Sequence, residues 1–137
     1  MVGVVVITHG KLAEELISAV KFVVADKSAV RMEGVSLDPR EEFGTFSQKI
    51  KNTIKRIDDG DGVLLVTDMF GGTPSNVSLT FLEEKKVEVI SGVNLPMLLK
   101  LATISSKLTL DEAVNIAESA GRDNIIVASK LLQKRNA

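Results

Sequence analysis

The chain has 137 residues, with 17 Lys and Arg against 18 Asp and Glu, one His and no Cys. That length fits one domain. The balanced charge argues against a protein devoted to nucleic acid, where affinity comes from a basic excess meeting phosphates. The missing cysteines exclude disulfides, Cys-ligated metals and a Cys nucleophile. Tyr and Trp are absent, which removes the usual stacking platforms for single-stranded nucleic acid. No stretch reaches the roughly 20 apolar residues needed to cross a bilayer. The apolar start, Met1 to His9, is short and has no basic flank, so it reads as a strand and not as a signal peptide. The expected location is the cytoplasm.

Val2 to Ile7 is a β-branched run, as expected of a strand buried on both faces. Lys11 to Ala25 carries Leu12, Leu16, Val20 and Val23 at helical spacing. Val30 to Leu37 is a weaker strand that contains Gly34. Pro39 then opens a helix whose stripe is Phe43, Phe46, Ile50, Ile54 and Ile57, with Phe43, Phe46 and Ile50 expected in the core. The turn cluster Asp58 to Gly62 leads into a third strand, Val63 to Thr67. Gly71-Gly72-Thr73-Pro74 starts the next helix, with Thr73 as N-cap and Pro74 at the first helical position.

Val87 to Ile90 is a fourth strand. Asn94 caps a short helix running to about Ile104. Thr109 and Glu112 form a capping box for a last helix that ends at Gly121. Asn124 to Ala128 reads as a short final strand, and Lys130 to Ala137 as a frayed basic tail with Lys130, Lys134 and Arg135 in solvent. Strands alternating with helices imply a single α/β domain over residues 1–129, with a mostly parallel central sheet and helices on both faces. Residues 130–137 follow as a short tail.

In an open α/β sheet, ligands bind beyond the carboxyl ends of the strands. The first strand ends in Thr8-His9-Gly10 and the third in Thr67-Asp68, with Gly71-Gly72-Thr73 close behind. The one histidine therefore stands where chemistry is expected, with a carboxylate at the end of a strand that can lie beside it. An Asp that accepts from one ring nitrogen fixes the tautomer and leaves the other nitrogen as a lone-pair donor. That nitrogen can act as base, metal ligand or nucleophile. Helix starts and glycine-rich turns offer backbone N–H groups to anions, and Thr73 and Ser75 add hydroxyls. The combination suits phosphoryl transfer through a phosphohistidine, driven by positioning and electrostatics. Plainer readings stand beside it: His9 as a core or surface residue, Asp68 as a turn residue, Gly71-Gly72 as a tight strand-to-helix turn.

Several rival motifs fail on the residues. A Walker A loop needs Gly where Val5 stands, and Leu12 follows Lys11. No Gly-x-Gly-x-x-Gly opens the first helix. A receiver domain needs acids where Thr8 and His9 stand. The phosphatases with an Arg-His-Gly nucleophile need that Arg and a second His.

Ile7-Thr8-His9-Gly10, then Asp68-Met69-Phe70-Gly71-Gly72-Thr73-Pro74-Ser75-Asn76, then Ser91-Gly92-Val93-Asn94-Leu95-Pro96-Met97-Leu98 resemble the enzyme IIA domain of the mannose family of the bacterial sugar phosphotransferase system. The resemblance spans essentially the whole chain. The related phosphocarrier subunit of dihydroxyacetone kinase also has a His after its first strand, but lacks the Gly-Gly-Thr-Pro block.

The resemblance implies that His9 accepts a phosphoryl group from phospho-HPr and passes it to a histidine on a mannose-type enzyme IIB, for sugar uptake through the membrane components IIC and IID. Nε2 would carry the phosphoryl group, Asp68 would hold Nδ1, and Gly10, Gly71, Gly72 and Thr73 would hold the phosphoryl oxygens. It also implies a homodimer in which the last strand, about Asn124 to Ala128, crosses to the partner's sheet as an antiparallel edge. No metal or other cofactor is called for. Two positions depart from the family pattern, Phe70 where Trp is common and Thr73 where Ser is common, and both replacements keep the chemistry. With no attached enzyme IIB after the last strand, the chain reads as a separate subunit. The alternatives are a stand-alone regulator switched by His9 phosphorylation, or a flavodoxin-like binding module with no covalent step.

Overall fold

The computed structural model describes residues 1–26, 30–104 and 107–135. The apolar run at the start forms β1 (Gly3–His9), buried from Gly3 to Thr8 and exposed only at His9. α1 (Leu12–Val23) follows and buries Ala13, Ile17 and Val20. Its cap residue, Lys11, makes no side-chain cap bond. The Thr8 hydroxyl, inside β1, instead accepts the Ala13 N–H at 2.8 Å, which ties the start of the helix to the end of the strand. β2 (Met32–Leu37) then pairs with β1.

α2 (Phe43–Ile57) starts four residues later than Pro39 implied. The Arg40 N–H bonds the Asp38 side chain and the Glu41 N–H bonds the Asp38 carbonyl, so Pro39 sits in a turn and not in a helix. The stripe on α2 also needs one correction: Phe46, Ile50 and Ile57 are buried, whereas Phe43 is 59% exposed. Phe43 lies at the first position of the helix.

β3 (Val63–Thr67) falls where the sequence places it. α3 (Gly72–Leu79) begins earlier than a Thr73 cap would allow, with Gly71 in the cap position and no side-chain cap bond. Gly71 and Gly72 have φ of +90° and +81°. Two successive residues in that region let the chain enter the helix directly, which leaves Thr73 and Pro74 inside its first turn. β4 (Val87–Ser91) leads to α4 (Leu95–Ala102), whose Asn94 cap accepts from the Met97 N–H. α5 (Leu110–Asp123) carries both halves of the Thr109–Glu112 capping box.

The four strands form an all-parallel sheet in the order β2-β1-β3-β4. Successive residues of β1 and β3 point to opposite faces. Val4, Val6, Leu64 and Val66 pack with α1, α4 and α5, while Val5, Ile7, Val63 and Leu65 pack with Phe46 and Ile50 of α2 and Val77 of α3. Burial on both sides explains why β1 and β3 read as unbroken apolar runs. No helix among the described residues is long and apolar enough to cross a membrane.

The expected final strand is not formed within this chain, and among the described residues no antiparallel edge strand joins the sheet. α5 continues past Gly121, and residues 125–127 lie outside any strand. Ile125, Ile126 and Val127 are 74%, 57% and 52% exposed, with no neighbouring backbone ladder to fix them as a strand. The basic tail is a helix and not frayed through position 135: α6 (Ala128–Arg135) buries none of its residues. Its Leu, Lys, Gln and Arg are strong helix formers.

Candidate active site

The strand order places the site. The chain leaves β1 for β2 on one side and returns past β1 to β3 on the other, so connections diverge between β1 and β3. Such a divergence opens a crevice at the carboxyl ends of the strands. The β1–β3 ladder ends with Ile7 opposite Thr67. His9, the last residue of β1, and Asp68, the first residue after β3, thus stand just past that ladder on adjacent strands, and they meet.

Oδ2 of Asp68 lies 2.8 Å from Nδ1 of His9, and the same oxygen accepts the His9 backbone N–H at 3.0 Å. Oδ1 accepts the Met69 N–H at 3.0 Å. Burial raises the Asp68 carboxyl pKa, but hydrogen bonds from the His9 ring and backbone, the ring's charge and the Met69 N–H outweigh it, so the group titrates below the usual Asp value. An ionised carboxylate can only accept, so Nδ1 carries the hydrogen in this pair. In the neutral ring, Nε2 is then the lone-pair nitrogen. The His9 side chain is 48% exposed and Asp68 is 13% exposed, so the anchor is sheltered while the ring faces solvent.

Glycine is required on the Nε2 side. A Cβ at Gly72 would stand 3.2 Å from both Cε1 and Nε2 of His9. The main chain at the start of α3 therefore lies against the Cε1–Nε2 edge of the ring. In a first helical turn the leading N–H groups have no carbonyl of their own helix to bond. Gly72 and Thr73 supply such donors, and Pro74 has no N–H to add. Together with the helix dipole they favour an anion beside Nε2.

The other expected residues divide. Thr73 is exposed and within the first turn of α3, while Ser75 is fully buried and its Oγ has no partner among the described residues. Gly10 adjoins His9, but its N–H donates to the Leu37 carbonyl at 2.9 Å, so it shapes the turn into α1 and offers no free donor. Sequence reasoning missed two features. Met69 and Phe70 are 54% and 78% exposed beside the His9–Asp68 pair, an apolar rim. Thr67 also pairs through its hydroxyl with Ser91 at 2.7 Å. The signal for it was a polar residue closing the otherwise aliphatic run Val63 to Val66. A hollow of about 640 Å³ beside Gly60, Asp61 and the start of α5 lies at the amino end of the sheet, away from His9.

Residues 3–118 match the model of a family described as the PTS system fructose IIA component, EIIA-man. The chain belongs to this family. It is thus a IIA component of the mannose/fructose branch of the sugar phosphotransferase system, whose IIA components are phosphotransferase components. It is 30% identical over 126 residues to the PTS system mannose-specific EIIAB component of Escherichia coli, an alignment covering 90% of this chain and 38% of that protein. It is 27% identical over 135 residues to the PTS system fructose-specific EIIA component of Bacillus subtilis, covering 98% of this chain and 91% of that one. Among solved structures it is similar to the PTS IIA protein associated with the fucose utilization operon of Streptococcus pneumoniae, with a TM-score of 0.80, 28% identity and 95% of each chain covered. The chain thus spans well under half the length of the E. coli relative and nearly all of the B. subtilis one.

Proposed function

We propose that this IIA component is a cytoplasmic phosphoryl carrier that takes a phosphoryl group from phospho-HPr onto His9 Nε2. It then passes the group to a histidine of a mannose-type enzyme IIB. The lone pair of Nε2 attacks phosphorus, the donor's P–N bond breaks as the new one forms, and the donor imidazole leaves with the bonding pair. The second transfer repeats this step with His9 as the leaving group. Asp68 keeps the proton on Nδ1 and balances the positive charge that develops on the ring. The N–H groups of Gly72 and Thr73 and the Thr73 hydroxyl hold the phosphoryl oxygens, with Gly71 setting the approach of that turn.

The observation that supports this reading is the anchored His9 ring, with Nδ1 on Asp68 at 2.8 Å and its Nε2 edge against Gly72. The exposed Met69 and Phe70 fit a protein donor and acceptor, because apolar rim residues give a partner surface something to cover. The membrane components IIC and IID would act downstream of enzyme IIB.

The test is a chase. The phosphorylated chain is mixed with purified mannose-type enzyme IIB, and label on both proteins is followed. Label moving to enzyme IIB supports the carrier. Label that stays on His9 while binding to another protein changes would make the chain a phosphorylation-switched regulator.

We also propose a homodimer, with exposed Ile125, Ile126 and Val127 covered by the second copy. A monomer at micromolar concentration in sedimentation velocity would contradict it. The domain is taken as residues 1–129, with 130–137 as an appendage.

A further inference from the structure

We infer that the Thr67–Ser91 hydroxyl pair is a positioning device for the His9–Asp68 centre, an inference that rests on the carrier reading above. Thr67 is wholly buried at the end of β3, opposite Ser91 of β4 in the register of the sheet. Their hydroxyl oxygens are 2.7 Å apart. Thr67 Oγ1 also donates to the Met69 carbonyl at 3.4 Å. Thr67 has one hydroxyl hydrogen, so with that hydrogen on Met69 it is Ser91 that donates to Thr67.

Met69 is thereby held at both of its polar ends. Its carbonyl takes the Thr67 hydroxyl, and its N–H donates to Asp68 Oδ1 at 3.0 Å. The other Asp68 oxygen holds the His9 ring. The result is one unbroken chain of contacts, from Ser91 through Thr67, Met69 and Asp68 to Nδ1 of His9. The Thr67 carbonyl strengthens the base of this chain, since it accepts the N–H groups of both Gly92 and Val93 at 3.1 Å. The loop after β3 is thus fastened to the loop after β4.

This arrangement answers a specific difficulty. Met69 and Phe70 are exposed and lie in a loop that ends in two glycines, so their own side chains anchor little. Yet that loop fixes both the carboxylate on Nδ1 and the Gly72 main chain beside Nε2. An aliphatic residue at 67 would fill the same space in the sheet. It would leave the Met69 carbonyl without its donor and Ser91 without its acceptor. Thr67 touches no reacting atom, so its role is positioning and not catalysis.

Thr67→Val, Thr67→Ser and Ser91→Ala separate this role from packing. Two readouts are compared on folded, thermally characterised protein: the rate at which phospho-HPr loads His9, and the imidazole nitrogen NMR signature that reports the Nδ1–H tautomer. For Thr67→Val the loading rate should fall about three- to tenfold, the scale of one lost positioning hydrogen bond, with a mixed tautomer signature. Thr67→Ser should restore both. Ser91→Ala should show a smaller loss of the same kind, because the Thr67 hydroxyl then has no donor holding its own hydrogen on the Met69 carbonyl.

A Thr67→Val protein with wild-type loading and tautomer would overturn the inference. So would a Thr67→Ser protein as impaired as Thr67→Val, which would show that the lost methyl group mattered and not the hydroxyl. If the wild-type chain itself takes no phosphoryl group, the carrier reading fails. The tautomer signature then decides alone: a shift in Thr67→Val sustains the positioning role, and an unchanged signature ends it.

Discussion

One oxygen of Asp68 holds His9 twice, taking ring Nδ1 at 2.8 Å and the backbone N–H at 3.0 Å. The double contact fixes the ring relative to its own main chain as well as to the neighbouring strand. A histidine at the end of a strand has two free torsions in its side chain. Here one of its two ring nitrogens is assigned to an anchor and the other left for chemistry.

Removing that anchor should slow the chemistry more than it weakens the fold. Asp68→Ala is expected to lower the rate of His9 phosphorylation about 10- to 100-fold, the range by which loss of a carboxylate that orients a metal-bound imidazole lowers activity. The melting temperature at neutral pH should drop by roughly 5 °C or less. Stopped-flow or quenched loading from phospho-HPr gives the rate, and a thermal melt gives the stability. Wild-type transfer in this variant would dissolve the pairing.

The same carboxylate makes a pH prediction whose sign is fixed. Its native pKa lies below the unfolded value because the His9 and Met69 contacts favour the charged form. Its contribution to stability is therefore complete above the ordinary Asp value of about 4, and is lost as pH falls through the lowered native value. The stability gap between wild type and Asp68→Ala should be widest near neutrality and should shrink in that acid window. Urea melts across pH measure it, and a gap that widens on acidification would contradict the assignment.

Gly72 and Gly71 should respond differently to one added methyl group. Both have positive φ, so alanine at either costs about 1–3 kcal/mol of backbone strain. Only at Gly72 does the new Cβ meet the ring, at 3.2 Å from Nε2 and Cε1, whereas at Gly71 it meets nothing within 4 Å. Gly72→Ala should abolish loading of His9, while Gly71→Ala should keep a substantial part of it at similar stability. Equal loading in the two variants would mean that Gly72 does not border the reacting nitrogen.

The α2 stripe offers a test of the core. Phe46 is fully buried and Phe43 is 59% exposed. Phe46→Ala is expected to destabilise by about 3–5 kcal/mol, and Phe43→Ala by about 0.5 kcal/mol or less. Comparable losses by chemical denaturation would restore Phe43 to the core.

The legible parts of this molecule are those whose signal is local. β1 and β3 are aliphatic runs because both faces of the sheet are covered, and Thr109 with Glu112 states a helix start within four residues. The His9–Asp68 contact was legible because His9 closes β1 and Asp68 follows β3, strands that the fold makes neighbours. What was not legible depends on distant or exposed chain. Asn124 to Ala128 looks like a strand in composition, yet a strand also needs an edge to pair with. Gly10 looked like an anion donor until the Leu37 carbonyl took its N–H. The Thr67–Ser91 pair needed the β3–β4 register, which neither residue announces alone.

The central claim is tested most directly by intact mass after incubation with phosphoenolpyruvate, enzyme I and HPr, with His9→Ala run alongside. A single acid-labile phosphoryl group on the wild type and none on the variant is the predicted result. No mass gain on the wild type with an HPr that loads a known IIA component would contradict it, and so would equal gain on both proteins.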